Sequence, residues 1–136
     1  MESKKNLCPP RAFEQASFSN HVSFYGCSMY QLVMEEEFLG TPYDSQLYWE
    51  RSPLRFVKQV ETPVLLTHGE LDHEVAIEQS EQMFTALRKL RKPATFARYP
   101  REGHGIEEPA HVLDWLERHV AHFRLHLAGT AAAAKL

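Results

Sequence analysis

Apolar and polar positions along this chain fall into a regular order mainly in its second half. From Pro63, "PVLLTHG" is a short unbroken apolar run closed by Gly69, the pattern of a strand buried on both faces. "AIEQSEQMFTALRKLRK" then places Ile77, Met83, Phe84, Leu87 and Leu90 at helical spacing. Glu78 and Glu81 come early and Arg88, Lys89, Arg91 and Lys92 late, an order that complements a helix dipole. Pro93 stops that helix, and "ATFARYP" predicts a second short strand. "PAHVLDWLERHVAHFRLHL" predicts a closing amphipathic helix with Val112, Leu113, Leu116, Val120, Phe123 and Leu127 on one face. Strand, helix, strand, helix with short connections is a βαβα unit of the α/β class, with parallel strands and a right-handed crossover.

The first half is less periodic. Residues 1–21 are polar, broken by Pro9 and Pro10, and predict an irregular N-terminal arm. Ser28 to Phe38 predicts a helix through Leu32, Val33 and Phe38. Between there and Pro63, the prolines at 42 and 53 favour short helical turns over one long element. Residues 22–127 form the expected body, and 128–136, ending "GTAAAAKL", read as a low-complexity tail.

Composition narrows the function classes. At 136 residues the chain is at most one domain, and 43% hydrophobic with 11% aromatic residues is ordinary for a globular core. Eighteen acidic against fifteen basic residues, net charge −3, remove the electrostatic basis for binding nucleic acid. Apolar runs fall short of the roughly 18 residues a membrane span needs, so no membrane partner is expected. "MESKKNLCPPRAFE" lacks the apolar core of a signal peptide, and Cys8 and Cys27 are too few for a disulfide framework. Cytoplasm is the expected compartment.

Chemistry enters at the strand ends. In parallel sheets, reactive groups gather beyond the carboxyl ends of the strands. Asp72 follows "VLLTHGEL" and His104 follows "TFARYPREG", so neighbouring strands bring their two loops together. A carboxylate bonded to one imidazole nitrogen fixes the tautomer and stabilises the imidazolium when the other nitrogen takes a proton. Gly103 and Gly105 would let the backbone turn sharply around the ring. The same residues also suit a plain solvated turn. His68 reads as a packing residue, and Glu70 as a group that positions the loop before Asp72. His111, His119, His122 and His126 crowd the last helix without completing a recognised metal set, so neither metal nor cofactor is expected.

"TPVLLTHGELDHEVAIEQSEQMFTALRK" followed by "FARYPREGHGIEEPAHVLDWLERHVAHF" resembles the C-terminal end of the catalytic domain of the prolyl oligopeptidase family, nearest its acylaminoacyl-peptidase branch. "VSFYGCSMYQLVMEEEFLGTPYDSQLYWERSPLRFVKQV" is similar to the family segment that precedes it. The resemblance covers about residues 22–123 and implies a partial α/β-hydrolase fold, with Asp72 and His104 as triad acid and base. Ala76 departs from the proline usual in the family, at a helix start. The family's serine sits in a G-x-S-x-G elbow. Ser28 has Gly26 before it but Tyr30 where the second glycine belongs, and neither it nor Cys27 fits the role. The resemblance thus implies a piece of a serine peptidase, silent alone, that acts on peptide or acyl-peptide bonds when an N-terminal portion completes it. The alternative is a non-catalytic oligomerising or binding module derived from a hydrolase. An unpaired apolar edge on the "PVLLTHG" strand would favour a homo-oligomer.

Overall fold

The computed structural model describes residues 12–131. Three parallel strands, β1 (Ala12–Gln15), β2 (Val64–Gly69) and β3 (Ala94–Tyr99), stand in the order β1-β2-β3. Between β1 and β2 lie α1 (His21–Cys27), α2 (Gln31–Phe38), α3 (Leu47–Glu50) and a 3₁₀ segment, Pro53–Gln59. Helix α4 (Glu78–Lys89) connects β2 to β3, and α5 (Pro109–Ala131) follows β3. The βαβα unit expected from the second half is therefore present, and the short turns expected among the prolines are α3 and the 3₁₀ segment.

All six residues of β2 are buried, as an unbroken apolar run requires when both faces of a sheet are covered. Its side chains alternate between faces. Val64 and Leu66 pack with Met83 and Leu87 of α4 and with Val57. His68, in the same phase, meets Ser80 of α4. Thr67, in the opposite phase, accepts the indole N–H of Trp115 on α5 at 3.2 Å. A second core cluster, Phe24, Met34, Phe38, Tyr48 and Val75, gathers under α1–α3.

Several expectations change. The arm read as irregular contains β1, which pairs along Ala12↔Val64 to Gln15↔Thr67. A four-residue strand is too short to display a period, and its stability comes from the ladder it joins. The edge of β2 expected to be open is the edge β1 covers, so a homo-oligomer loses that route. Helix α1 was hidden because "HVSFYGC" is poor in strong helix formers. Its start is set by Asn20, whose side chain accepts the amide of Val22 at 3.1 Å. The helix expected over Ser28–Phe38 begins at Gln31, and the Ser28 hydroxyl accepts the Tyr30 amide at 3.0 Å just before it. Helix α5 runs four residues past the expected boundary at 127. Residues 1–11 of the arm, including Cys8, and 132–136 of the tail lie outside the described residues. Among the described residues, no helix is long and apolar enough to cross a membrane.

Candidate active site

The loops after β2 and β3 meet, as parallel neighbours should. Backbone bonds tie them together: the Glu70 amide donates to Tyr99 O at 2.9 Å and the Leu71 amide to Glu102 O at 2.8 Å. Gly69 makes the approach possible. A β-carbon at that position would stand 2.7 Å from the carbonyl carbon of Glu102 and closer still to the oxygens of Glu102 and Gly103. The backbone of the histidine loop thus lies directly on the end of β2.

Across this seam His104 Nδ1 donates to Asp72 Oδ2 at 2.9 Å. The Asp72 side chain is fully buried and that of His104 is 45% exposed. The carboxylate is held by four donors. Oδ1 accepts the amides of Glu74 and Val75, each at 2.9 Å, and Oδ2 accepts His104 Nδ1 and, at 3.1 Å, His68 Nε2. Because a carboxylate offers only lone pairs, neutral His104 carries its proton on Nδ1 and presents Nε2 as a base. A buried carboxylate holding one nitrogen of a half-exposed imidazole is an arrangement that could serve a general base.

The glycines beside His104 do not act as expected. Neither Gly103 nor Gly105 has a left-handed φ; that conformation falls on Arg101, at φ 68°. Arg101 donates through Nε and Nη2 to the two carboxylate oxygens of Glu108, at 2.8 and 2.7 Å. This bidentate pair accompanies a backbone conformation that costs a non-glycine residue about 1–3 kcal/mol.

Glu102, which sequence reasoning passed over, organises the loop. It is 3% exposed and accepts the amides of Glu107 and Glu108, each at 2.9 Å, and His111 Nδ1 at 2.7 Å. The Glu107 and Glu108 amides lie just before α5 and His111 lies in its first turn, so the carboxylate joins the His104 loop to the helix. Burial alone would raise its pKa, but the two amides and the His111 ring outweigh burial and hold it below the usual carboxylate range. The signal in the sequence was one acid two residues before the histidine, common in any turn.

A depressed folded-state pKa contributes stability above the unfolded value, and that contribution disappears as pH falls through the folded value. Glu102→Gln should therefore melt lower than the parent at neutral pH. The gap should begin to narrow as pH falls below the ordinary glutamate value and should close only once pH has passed through the lower value of the folded chain, where the parent's carboxyl is protonated too. Melting curves at several pH values check this; a gap of constant size refutes it.

The remaining candidates have local partners. Glu70 pairs with Arg98 of β3 at 3.0 Å. The group of three metal-type side chains that the described residues bring together is Glu102, Glu108 and His111, which joins one of the late histidines to two carboxylates rather than to the other three. Its atoms are already engaged in the hydrogen bonds given above. The His122 and His126 rings lie 4.8 Å apart, and that of His119 lies 4.2 Å from the indole of Trp115.

Beside His104 opens a cavity of about 380 Å³. Phe18, Phe24, Val33, Phe38 and Val75 give it an apolar wall, with Glu37 and Glu74 also on its lining.

The family model described as the prolyl oligopeptidase family matches residues 11–130. The chain is 34% identical over 121 residues to the "uncharacterized peptidase YuxL" of Bacillus subtilis, a match covering 80% of this chain and 18% of that protein. It superposes on the acylaminoacyl peptidase of Pyrococcus horikoshii with a TM-score of 0.79 and 25% identity, over 86% of this chain and 20% of that one. A puromycin-hydrolyzing peptidase of Mycobacterium tuberculosis gives a TM-score of 0.76 and 26% identity, over 90% and 19% of the two chains. The chain spans about a fifth of the length of these relatives.

Proposed function

This chain belongs to the prolyl oligopeptidase family, and from that membership we propose that it supplies the acid and general base of a serine peptidase site acting on peptide or acyl-peptide bonds. The observation that carries the proposal is the 2.9 Å bond from His104 Nδ1 to the buried Asp72 carboxylate, which leaves Nε2 as the base. The sequence holds no G-x-S-x-G elbow, so the nucleophilic serine comes from outside these 136 residues.

In the completed site, the serine oxygen attacks the carbonyl carbon while its proton passes to His104 Nε2. Asp72 stabilises the imidazolium so formed. When the C–N bond breaks, Nε2–H gives that proton to the departing amine nitrogen. Water then repeats the sequence on the acyl-serine, with His104 again taking and returning one proton. The apolar cavity beside His104 would take an aliphatic or aromatic side chain next to the scissile bond. A cytoplasmic setting belongs to the same reading, supported by an exposed free thiol at Cys27.

Complementation tests the proposal. The isolated chain should stay unlabelled by a fluorophosphonate probe. Mixed with a separately produced N-terminal portion bearing a G-x-S-x-G elbow, it should restore hydrolysis of an activated ester, and His104→Ala should abolish the gain. A stable complex without His104-dependent hydrolysis would favour the non-catalytic module instead.

A further inference from the structure

Behind Asp72 stands a second histidine that the acid–base pair alone does not require. His68 is fully buried at the end of β2, a place where an unpartnered imidazole would be unfavourable. Its Nε2 lies 3.1 Å from Asp72 Oδ2 and 2.8 Å from Val75 O. Both neighbours are pure acceptors, so Nε2 must bear a proton. Its Nδ1 lies 2.7 Å from Ser80 Oγ on α4. In the neutral ring Nδ1 has a lone pair, and the Ser80 hydroxyl is then the donor to it.

We infer that His68, held by Ser80, is a positioning residue for the acid: its Nε2–H anchors Asp72 Oδ2 from behind and aims it at His104. This rests on the acid–base reading of Asp72 and His104. The chain of donors runs Ser80 O–H to His68 Nδ1, then His68 Nε2–H to Asp72 Oδ2, which also accepts His104 Nδ1–H. The two amides on Oδ1 pin one end of the carboxylate, and without His68 its other end would be set only by the half-exposed His104 ring. His68 also grips Val75 O while the Val75 amide grips Asp72 Oδ1, so the 72–75 turn is closed from both sides. Val75 lines the cavity beside His104. One buried ring therefore fixes both the acid and a wall of the proposed substrate cavity relative to β2. Such support from behind is what keeps a catalytic group within a fraction of an ångström of its working geometry.

Nitrogen-15 NMR of the imidazoles in the intact chain tests this without any activity. In the parent, neutral His68 should be the Nε2–H tautomer and neutral His104 the Nδ1–H tautomer. In His68→Leu, exchange of the His104 Nδ1 proton with water should accelerate about tenfold, the scale set by one lost hydrogen bond. His68→Gln, whose amide can still donate, should restore most of that protection. Ser80→Ala, which removes a single oxygen, should move His104 in the same direction as His68→Leu, and it decides the matter if the leucine variant does not fold. A parent His68 protonated on Nδ1 alone, or His104 exchange unchanged in a folded His68→Leu or in Ser80→Ala, overturns the inference. If His104 in the parent is not the Nδ1–H tautomer, the acid–base reading itself fails, a result distinct from either.

Discussion

Gly69→Ala should lower the melting temperature of this chain by about 10 °C and break the contact between His104 and Asp72. The magnitude follows from what the new methyl group meets. It would stand 2.7 Å from the carbonyl carbon of Glu102 and closer to two carbonyl oxygens, all of them backbone atoms that cannot rotate aside. Overpacking of this kind costs about 1–3 kcal/mol, and a rigid backbone target puts it at the upper end. For a domain of this size that loss corresponds to the stated shift. Relief can come only by lifting the histidine loop from β2, which also strains the bond from the Leu71 amide to Glu102 O. Gly103→Ala is the control. A β-carbon there meets nothing within 4 Å, and its φ lies outside the left-handed region, so its effect should stay within about 1 kcal/mol. Thermal melts of the two variants decide the point; equal shifts would show that contact at Gly69 does not set the loop.

The contrast between these glycines marks what could be read from the chain. Flanking a histidine with glycine looks like a demand for backbone freedom, yet the left-handed residue is Arg101 and the indispensable glycine lies 34 residues earlier in the sequence, at the end of β2 (103 − 69). Steric need of that kind arises from two loops meeting in space and leaves no local pattern. Elements with a long period were legible: β2, α4, β3 and α5 follow from apolar spacing and charge order. Asp72 and His104 were legible too, because parallel topology forces the loops after β2 and β3 together. Strand β1 was not, since four residues show no alternation and depend on Val64 to Thr67 for their ladder. Glu102 was passed over, and the partners of the buried His68 were not foreseen, for a common reason. A buried polar side chain is defined by its partners, here the amides of Glu107 and Glu108 with His111, and Ser80 with Val75 and Asp72. None of those partnerships is visible as spacing along the chain.

Asp72→Asn should reverse the tautomer of His104 and, in the completed enzyme, reduce kcat by about 10⁴, the scale known for an acid-to-amide change in a catalytic triad. The donors around the carboxylate dictate the outcome. An asparagine offers one oxygen and one NH₂ where Asp72 offers two oxygens, while four donors still point at the site. If the NH₂ takes the Oδ1 place it faces the amides of Glu74 and Val75, which cannot turn away. The NH₂ therefore takes the Oδ2 place, opposite His68 and His104. His68 keeps its Nε2–H on Val75 O at 2.8 Å, leaving His104 as the group able to adapt. It does so by accepting at Nδ1 and moving its proton to Nε2, the nitrogen that should receive the serine proton. A ring already protonated at Nε2 cannot act as base in its neutral form. Nitrogen-15 shifts of His104 in the chain report the reversal directly, and the complemented assay reports the rate. Retention of the Nδ1–H tautomer together with parent-like turnover would remove Asp72 from the role of acid. Reversal of the tautomer accompanied by the loss in rate would tie the rate to the orientation of one proton, since the substitution leaves the shape of the side chain almost unchanged.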